Sequence, residues 1–253
     1  MVITKISLNY WIKAKVGYLK IYFNLKKSIK VNVPFIDIHT HHPMNSAEIL
    51  SIPSFFLQNI DFKNVINTPF SAAIHPWHAA KFFHGQVRAM LDALIEQPGL
   101  IAIGETGLDR VCTANFQQQK LLFELHLEFA ENHHKPMIIH AVKSWNDLIL
   151  YLKKAKVPFI LHGYSGGTEL TKQLIDLGCY FSVGKRLLQI TPRFREAFQI
   201  IPLTSLFLET DDSPSDIREI YQEASKILNI PLDQFKIQLN QNFKNLFNLQ
   251  ERE

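Results

Sequence analysis

Histidine and carboxylate residues stand where five strand-like apolar runs end. The runs are FIDIHTH (35–41), LIAIGE (100–105), PMIIH (136–140), PFILH (158–162) and LFLETD (206–211). Imidazole nitrogens and carboxylate oxygens are ligands for Zn, Mn, Co and Fe in proteins. The pattern therefore predicts a metal site built from His39, His41, Glu105, His140, His162 and Asp211.

The H-x-H pair and the number of candidate ligands indicate more than one ion. His39 and His41 are two residues apart, so on a strand both side chains point to the same side. Six ligands are too many for one catalytic ion that keeps an open position. We therefore predict two divalent ions (Mg, Mn, Co or Zn), with Glu105 as a bridging ligand and Asp211 as both ligand and proton acceptor.

The elements that carry these residues alternate in a way that is typical of a parallel sheet covered by helices. Polar residues at the ends of many strands favour a closed ring over an open sheet, in which ligand contacts concentrate at one switch point. We predict a TIM-like (β/α) barrel, irregular or shortened because 34–253 is few residues for eight full units. Strands are predicted at 35–39, 70–75, 100–104, 136–140, 158–162, 179–183 and 206–209.

A set of motifs in a fixed order gives a specific resemblance. FIDIHTH, AIHPWH, IGETGLD, IIH, LHGYSGG, LETD and the closing NQNFKNLF, over about 34–250, resemble the TatD family of metal-dependent hydrolases, which belong to the amidohydrolase-like barrels. The resemblance implies that His39, His41 and Asp211 bind one ion, that His140 and His162 bind a second, and that Glu105 bridges them. It also implies cleavage of phosphodiester bonds in DNA or small nucleotides, as a 3'-5' exodeoxyribonuclease, by an activated bridging water.

Residues that contact the substrate are predicted around this cluster. His75 and Trp77 follow the second predicted strand, and Trp77 offers a ring on which a base could stack. The glycine-rich loop with Gly163 and Ser165 leads into a helix, whose N-terminus favours phosphate. Where the family has His-x-Arg, this chain has HAVK, so Lys143 replaces a bidentate guanidinium by a point charge.

Other functions are compatible with the same ligands. A two-metal site also attacks carbonyl carbon, so hydrolysis of an amide, ester or lactone of a small molecule is the alternative. A non-catalytic scaffold is disfavoured, because such a protein would be expected to have lost one of the six polar residues. The remaining histidines in helical or loop contexts, His84, His126, His133 and His134, are expected to be solvated.

The N-terminal 1–33 is predicted to be separate from the barrel of 34–253. It holds seven lysines and no acid, so the rest of the chain carries a net charge of −3 although the whole chain has +4. We interpret it as a poorly packed or disordered extension or a mis-assigned start; the alternatives are an added strand or helix packed on the barrel, and a contact with a membrane surface or nucleic acid. Its lysines interrupt every apolar run, so no membrane span is expected. Cys112 and Cys179 have no pairing motif, which favours a reduced cytoplasmic protein, and no obligate protein partner is inferred.

Overall fold

The central element is a ring of eight parallel strands, each paired with the next along the chain. The computed structural model describes residues 33–64 and 66–247. The chain divides after Val33, and the barrel belongs to the second unit. The predicted N-terminal extension lies outside the described residues except for Val33, so its interpretation stays a prediction.

The strands follow the predicted order with one addition. They are β1 (Phe35–Thr40), β2 (Ile49–Phe56), β3 (Phe70–Ala73), β4 (Leu100–Asp109), β5 (Met137–Val142), β6 (Phe159–Leu161), β7 (Tyr180–Val183) and β8 (Leu206–Leu208). The prediction of a TIM-like barrel is confirmed, but the prediction of seven strands missed β2. Ser51, Pro53 and Ser54 interrupt the apolar residues of β2, so the segment lacks the continuous apolar run that marks the other strands.

Seven α-helices occur among the described residues, and most of them connect successive strands. They are α1 (His84–Ile95), α2 (Phe116–Asn132), α3 (Trp145–Leu152), α4 (Thr168–Asp176), α5 (Pro192–Gln199), α6 (Ile217–Leu228) and α7 (Leu232–Leu246). Short 3-10 turns occupy Leu57–Asn59, Pro76–Lys81, Lys185–Leu187 and Leu203–Ser205. Residues 41–48, which join β1 to β2, contain no helix. The barrel therefore needs fewer residues than one with a helix after every strand.

The apolar residues divide between two layers. One layer fills the barrel interior and includes Ile38, Ile52, Ile138, Ile160 and Phe207. The larger layer lies between strands and helices. Complete burial of one such side chain contributes about 1.5–3 kcal/mol to the free energy of folding. The packed interior therefore holds the strands in place beneath the polar residues at their carboxyl ends.

The ring is completed at the polar end of β1 and β8. Thr40 forms a parallel bridge with Asp211; the Asp211 N–H donates to the His39 carbonyl at 2.9 Å and the His41 N–H donates to the Asp211 carbonyl at 3.0 Å. Below them, buried Asp37 accepts hydrogen bonds from the Thr210 N–H at 2.9 Å and from its hydroxyl at 2.7 Å. Three candidate ligands are therefore held in one register by backbone bonds.

Within 33–64 and 66–247, no helix combines the length and apolar character that crossing a membrane requires.

Candidate metal centre

Strands β5 and β6 place two histidines over the barrel interior. Ile138 and Ile160 point into the interior, and the residues two positions further on, His140 and His162, continue the same faces at the strand ends. Their rings are stacked with centroids 5.5 Å apart, and His140 Nδ1 lies 3.3 Å from His162 Nε2. These two nitrogens are close enough to act on one ligand.

The carboxylate of Glu105 lies against both histidines through one oxygen. Its Oε1 is 2.6 Å from His140 Nδ1 and 2.7 Å from His162 Nε2. A third nitrogen, His75 Nε2, is 3.2 Å from the same oxygen. Glu105 is almost completely buried, so these histidines and their neighbours, rather than water, surround its charge.

The other oxygen of Glu105 faces the H-x-H pair. Its Oε2 lies 3.4 Å from His39 Nε2 and 3.6 Å from His41 Nε2. Asp211 Oδ1 lies 3.6 Å from His39 Nε2 and 3.8 Å from His41 Nε2. The structure therefore brings all six predicted ligands together, with Glu105 between two groups.

The spacing of the group around His39 fits a cation. Tetrahedral Zn with bonds of about 2.0–2.1 Å separates its ligand atoms by about 3.3–3.4 Å; the four distances joining His39 and His41 to Glu105 and Asp211 run from 3.4 to 3.8 Å. The ring nitrogens of His39 are fully buried and have no hydrogen-bond partner within the described residues. A buried imidazole without partners is costly, and an ion at Nε2 would satisfy it.

The histidines and carboxylates of the cluster shift each other's pKa values toward the charged forms. Burial and His162 would lower the pKa of His39, but Asp211 and Glu105 outweigh them and raise it to about 9. Burial would likewise lower the pKa of His162, yet Glu105 and Glu209 hold it well above its usual value. Burial opposes ionisation of Glu105, but His162, His140 and His39 keep its pKa well below its usual range. Cation binding would therefore displace protons.

Glu209 is a buried carboxylate behind His162 that the sequence analysis missed. Its Oε1 accepts the Gly163 N–H at 2.6 Å and lies 3.5 Å from His162 Nδ1, while its Oε2 accepts the hydroxyl of Ser182. A carboxylate at Nδ1 keeps the proton there and leaves Nε2 free as a ligand. The signal was its position two residues before Asp211 on the interior-facing side of the strand.

Asp109 occupies the equivalent place behind His140 and was also missed. Its Oδ2 lies 3.4 Å from His140 Nε2 and accepts the indole N–H of Trp77 at 2.8 Å. Its Oδ1 accepts the backbone N–H groups of Val111 and Cys112 at 2.7 and 3.2 Å. The loop thus fixes the carboxylate, and the carboxylate orients His140 with Nδ1 toward Glu105.

His75 acts in this arrangement as a hydrogen-bond donor. Its Nδ1 accepts the Trp77 N–H at 3.2 Å, so its own proton lies on Nε2 and faces Glu105 Oε1. Burial lowers the pKa of His75, which favours the neutral ring. Trp77 itself is 56% exposed although its indole N–H is bound to Asp109, so one ring face is available at the rim.

The remaining predicted contacts surround the cluster. Gly163 has a φ of 56°, a left-handed conformation that glycine adopts without strain, and this turns its N–H toward Glu209. Lys143 is exposed on the loop after β5, and Ser165 lines a cavity after β6. Asp212, the neighbour of Asp211, instead contacts exposed His42 at 2.8 Å.

One expectation about the other histidines is wrong. His84, His133 and His134 are exposed as expected, but His126 is fully buried. Its Nδ1–H donates to the Leu122 carbonyl at 2.7 Å and its Nε2 accepts the Ile74 N–H at 3.2 Å. It thereby holds the residue that precedes His75.

An eight-stranded β/α barrel with histidines and carboxylates gathered at the carboxyl ends of its strands defines a metal-dependent hydrolase class of site. The family model described as TatD related DNase matches residues 61–248. The chain therefore belongs to the TatD family.

Relatives within the family are similar over most of the barrel. The uncharacterized metal-dependent hydrolase YjjV of Escherichia coli strain K12 is 26% identical over 194 residues, which cover 70% of this chain and 75% of that protein. The human 3'-5' RNA nuclease TATDN2 is 32% identical over 145 residues, which cover 54% of this chain and 19% of that protein.

Solved structures show the same fold. The crystal structure of YjjV from Escherichia coli K12 matches with a TM-score of 0.72 and 23% identity, covering 86% of this chain and 99% of that one. A TatD family hydrolase from Entamoeba histolytica matches with a TM-score of 0.70 and 19% identity, covering 85% and 98%. These likenesses establish the barrel and not the substrate.

Proposed function

We propose that this protein hydrolyses phosphodiester bonds with two divalent ions and removes nucleotides from the 3' end of single-stranded DNA or small nucleotides. The observation that carries the proposal is the position of Glu105, whose two oxygens face two separate groups of histidines. The family model's DNase description and the nuclease name of the human relative support phosphodiester chemistry.

Divalent ions at these ligands would supply Lewis-acid polarisation of the scissile group and would lower the pKa of an attacking water. His39, His41 and Asp211 would hold one ion, His140 and His162 the other, and Glu105 both. Glu209 and Asp109 orient the second pair of histidines from behind. These buried carboxylates keep the ring nitrogens aimed at fixed points, so no reorganisation is needed during the reaction.

Asp211 is suited to accept the proton of the attacking water. Its side chain is 34% exposed, so it reaches the solvent-facing side of the cluster. Burial would raise its pKa, but the neighbouring imidazole of His39, 3.6 Å away, and the charge of His162 lower it, so the group is ionised near neutral pH. An ionised carboxylate at the entrance can both bind a cation and act as a general base.

The net charge of the chain outside 1–33 favours binding of only a few substrate phosphates. Outside 1–33 the chain has a net charge of −3, because seven lysines of the +4 total lie in that segment. Each contact between a cationic group and a phosphate of a single strand releases about 0.7 counterions, so the salt dependence of binding reports the number of phosphates held. We propose that one or two terminal phosphates are held by the ions, Lys143 and the loop with Gly163 and Ser165, and that Trp77 stacks on a base.

The test is a substrate panel with enzyme stripped of metal and reconstituted in turn with Mg, Mn, Co and Zn. We expect cleavage of 3'-ended single strands, no cutting of closed circular DNA, and a log-log salt slope for binding on the order of −1 to −2. A steep slope or efficient cutting of circles would contradict end trimming. Absence of phosphodiesterase activity with every metal, together with ester or lactone cleavage, would favour carbonyl hydrolysis.

A further inference from the structure

The cavity that Ser165 lines lies at the same end of the barrel as the metal cluster, and apart from Ser165 its lining residues have no role in the proposed function. Its volume is about 350 Å³, and its walls come from the loops after β5, β6 and β7. Its lining includes Trp145, Ser165, Gly167, Leu170, Arg186 and Arg193. Ser165 is three residues beyond His162, so the chain can separate their Cα atoms by at most about 11 Å. The cavity is therefore a neighbour of the candidate metal centre.

Two exposed arginine side chains line this cavity, and their guanidinium groups have no counter-charge among the described residues. Across 33–64 and 66–247, neither Arg186 nor Arg193 forms an ion pair or a hydrogen bond, whereas Arg88, Arg110 and Arg218 each pair with an acid. An arginine fork is matched in shape to a phosphate or a carboxylate. Two such forks in one cavity without an acid favour an anionic ligand.

The positive charge of Arg193 lies near the N-termini of α5 and α4, where a cation is electrostatically unfavourable. It lies in the first turn of α5, which contains no acid. Its guanidinium nitrogens also lie 3.1 and 3.3 Å from the place of a Cβ atom on Gly167, the N-cap of α4, which has no side-chain cap. A cation near a helix N-terminus opposes the helix dipole; the first turn of α4 contains Glu169, so the uncompensated cost lies at α5. This cost is offset if an anion occupies the cavity.

The rest of the lining is apolar and aromatic. Trp145 is half-buried and lines the cavity. Its ring makes an edge contact with that of Tyr164, with the ring centroids 5.8 Å apart. Leu170 and Phe194 complete this side. Aromatic side chains are the surfaces on which nucleobases stack, while cationic groups hold the backbone. The lining of this cavity contains both kinds of side chain.

We propose that this cavity is a nucleotide subsite, in which a base lies against Trp145 and its phosphate is bound by Arg186 and Arg193. The subsite rests on the proposed function, because it assigns a binding place to the nucleotide beside the scissile bond. Its volume is within the range of about 300–1,000 Å³ usual for ligand pockets. The two arginines also supply the bidentate grip that Lys143 cannot give.

Binding to the metal-free full chain tests the subsite without catalysis. We would titrate deoxyadenosine monophosphate, deoxyadenosine and inorganic phosphate by calorimetry. The monophosphate should bind most tightly. The double variant Arg186→Gln, Arg193→Gln should weaken its binding at least tenfold, whereas Arg195→Gln, an exposed arginine on α5 outside the lining, should change it less than twofold. Unchanged binding in the double variant would overturn the subsite.

A variant of Trp145 tests whether this residue contacts the base and not the phosphate. Trp145→Leu should weaken deoxyadenosine monophosphate at least fivefold and leave inorganic phosphate within twofold; equal loss for both probes would overturn the assignment of the base to Trp145. Thermal unfolding of each variant verifies folding, and the arginine pair tests the phosphate half if Trp145→Leu is unstable.

Kinetics of the metal-loaded enzyme separate this proposal from the proposed function. Two oligonucleotides, one of which has an additional nucleotide beside the cleaved bond, should differ in KM. In the arginine double variant this difference in KM should disappear, while kcat stays within threefold of the wild-type value. Persistence of the KM difference in the variant would overturn the subsite. Nucleotide binding that depends on both arginines, with no phosphodiester cleaved by any metal form, would support the subsite and overturn the proposed function.

Discussion

The buried carboxylate of Glu209 lies 3.5 Å from His162 Nδ1, on the side of the ring opposite Glu105. His162 is thus placed between two carboxylates, one at each ring nitrogen. The inner one is shared with the other candidate ligands, and the outer one contacts His162 and the backbone of Gly163. The outer carboxylate can therefore be altered without removing a ligand.

Glu209→Gln should weaken metal binding while leaving the ligand set intact. The amide keeps an acceptor for the Gly163 N–H but loses the charge that supports the His162 imidazole. Loss of such a partner typically costs 10–100-fold in metal affinity, and competition with a chromophoric chelator would measure it. Ser182→Ala removes a hydrogen bond to the same carboxylate but keeps its charge, so its effect should be much smaller. Equal affinity in wild type and Glu209→Gln would refute the orienting role.

Glu105→Gln should reduce both metal content and activity. A neutral amide supplies less charge than a bridging carboxylate, so the purified variant should contain substantially less than two ions by elemental analysis. Glu169→Gln is the control, because among the described residues that exposed carboxylate pairs with Lys172 alone. Two retained ions with full turnover would remove Glu105 from the centre.

The sequence predicted the candidate ligands because one physical rule connects them. Carboxyl ends of parallel strands meet at one end of a barrel, so residues far apart in the chain, such as His39 and Asp211, could be placed together without any contact information. The spacing of Glu209 to Asp211 could have placed Glu209 near the ligands, but the roles of Glu209 and Asp109 were not predictable, because they depend on which ring nitrogen of each histidine faces outward. That orientation is a property of packing and not of spacing.

Other omissions differ in whether a signal was present. His126 follows Leu122 by four residues and precedes Phe129 by three, so helical periodicity puts it on the apolar face of α2, and this could have been predicted. Arg186 and Arg193 lie on separate segments after β7 and beside the start of α5. Only the folded loops bring them to one cavity.

Asp211→Asn tests whether Asp211 accepts a proton as well as binding a cation. Asparagine can still ligate weakly, but it is not a base at neutral pH. Turnover at saturating metal should therefore fall by about 10²–10⁴-fold, the usual size of general-base loss, and by more than metal occupancy does. Asp212→Asn is a matched control, because the adjacent carboxylate is turned toward His42 at the surface. Normal turnover of Asp211→Asn once saturated with metal would refute the general-base assignment.

Acid should destabilise the barrel through His126. Burial lowers the pKa of this ring from 6.5 to about 4, although its hydrogen bond to the Leu122 carbonyl opposes the shift. Protonation of Nε2 would also abolish the acceptor for the Ile74 N–H. As pH falls, the unfolded chain takes up the proton first. The stability is therefore complete above about pH 6.5 and is lost progressively down to about pH 4, by up to about 3 kcal/mol.

The measurement compares wild type with His126→Gln by urea unfolding of the metal-free protein between about pH 7 and pH 4. His126→Gln should be less stable than wild type at neutral pH, because its amide cannot reproduce both backbone hydrogen bonds, and should lose less stability on acidification. The difference between the two pH dependences isolates His126, because the other titrating groups are common to both proteins. His84→Gln, which replaces an exposed histidine, should retain the wild-type pH dependence. Parallel curves for wild type and His126→Gln would show that the proton on Nε2 does not control stability.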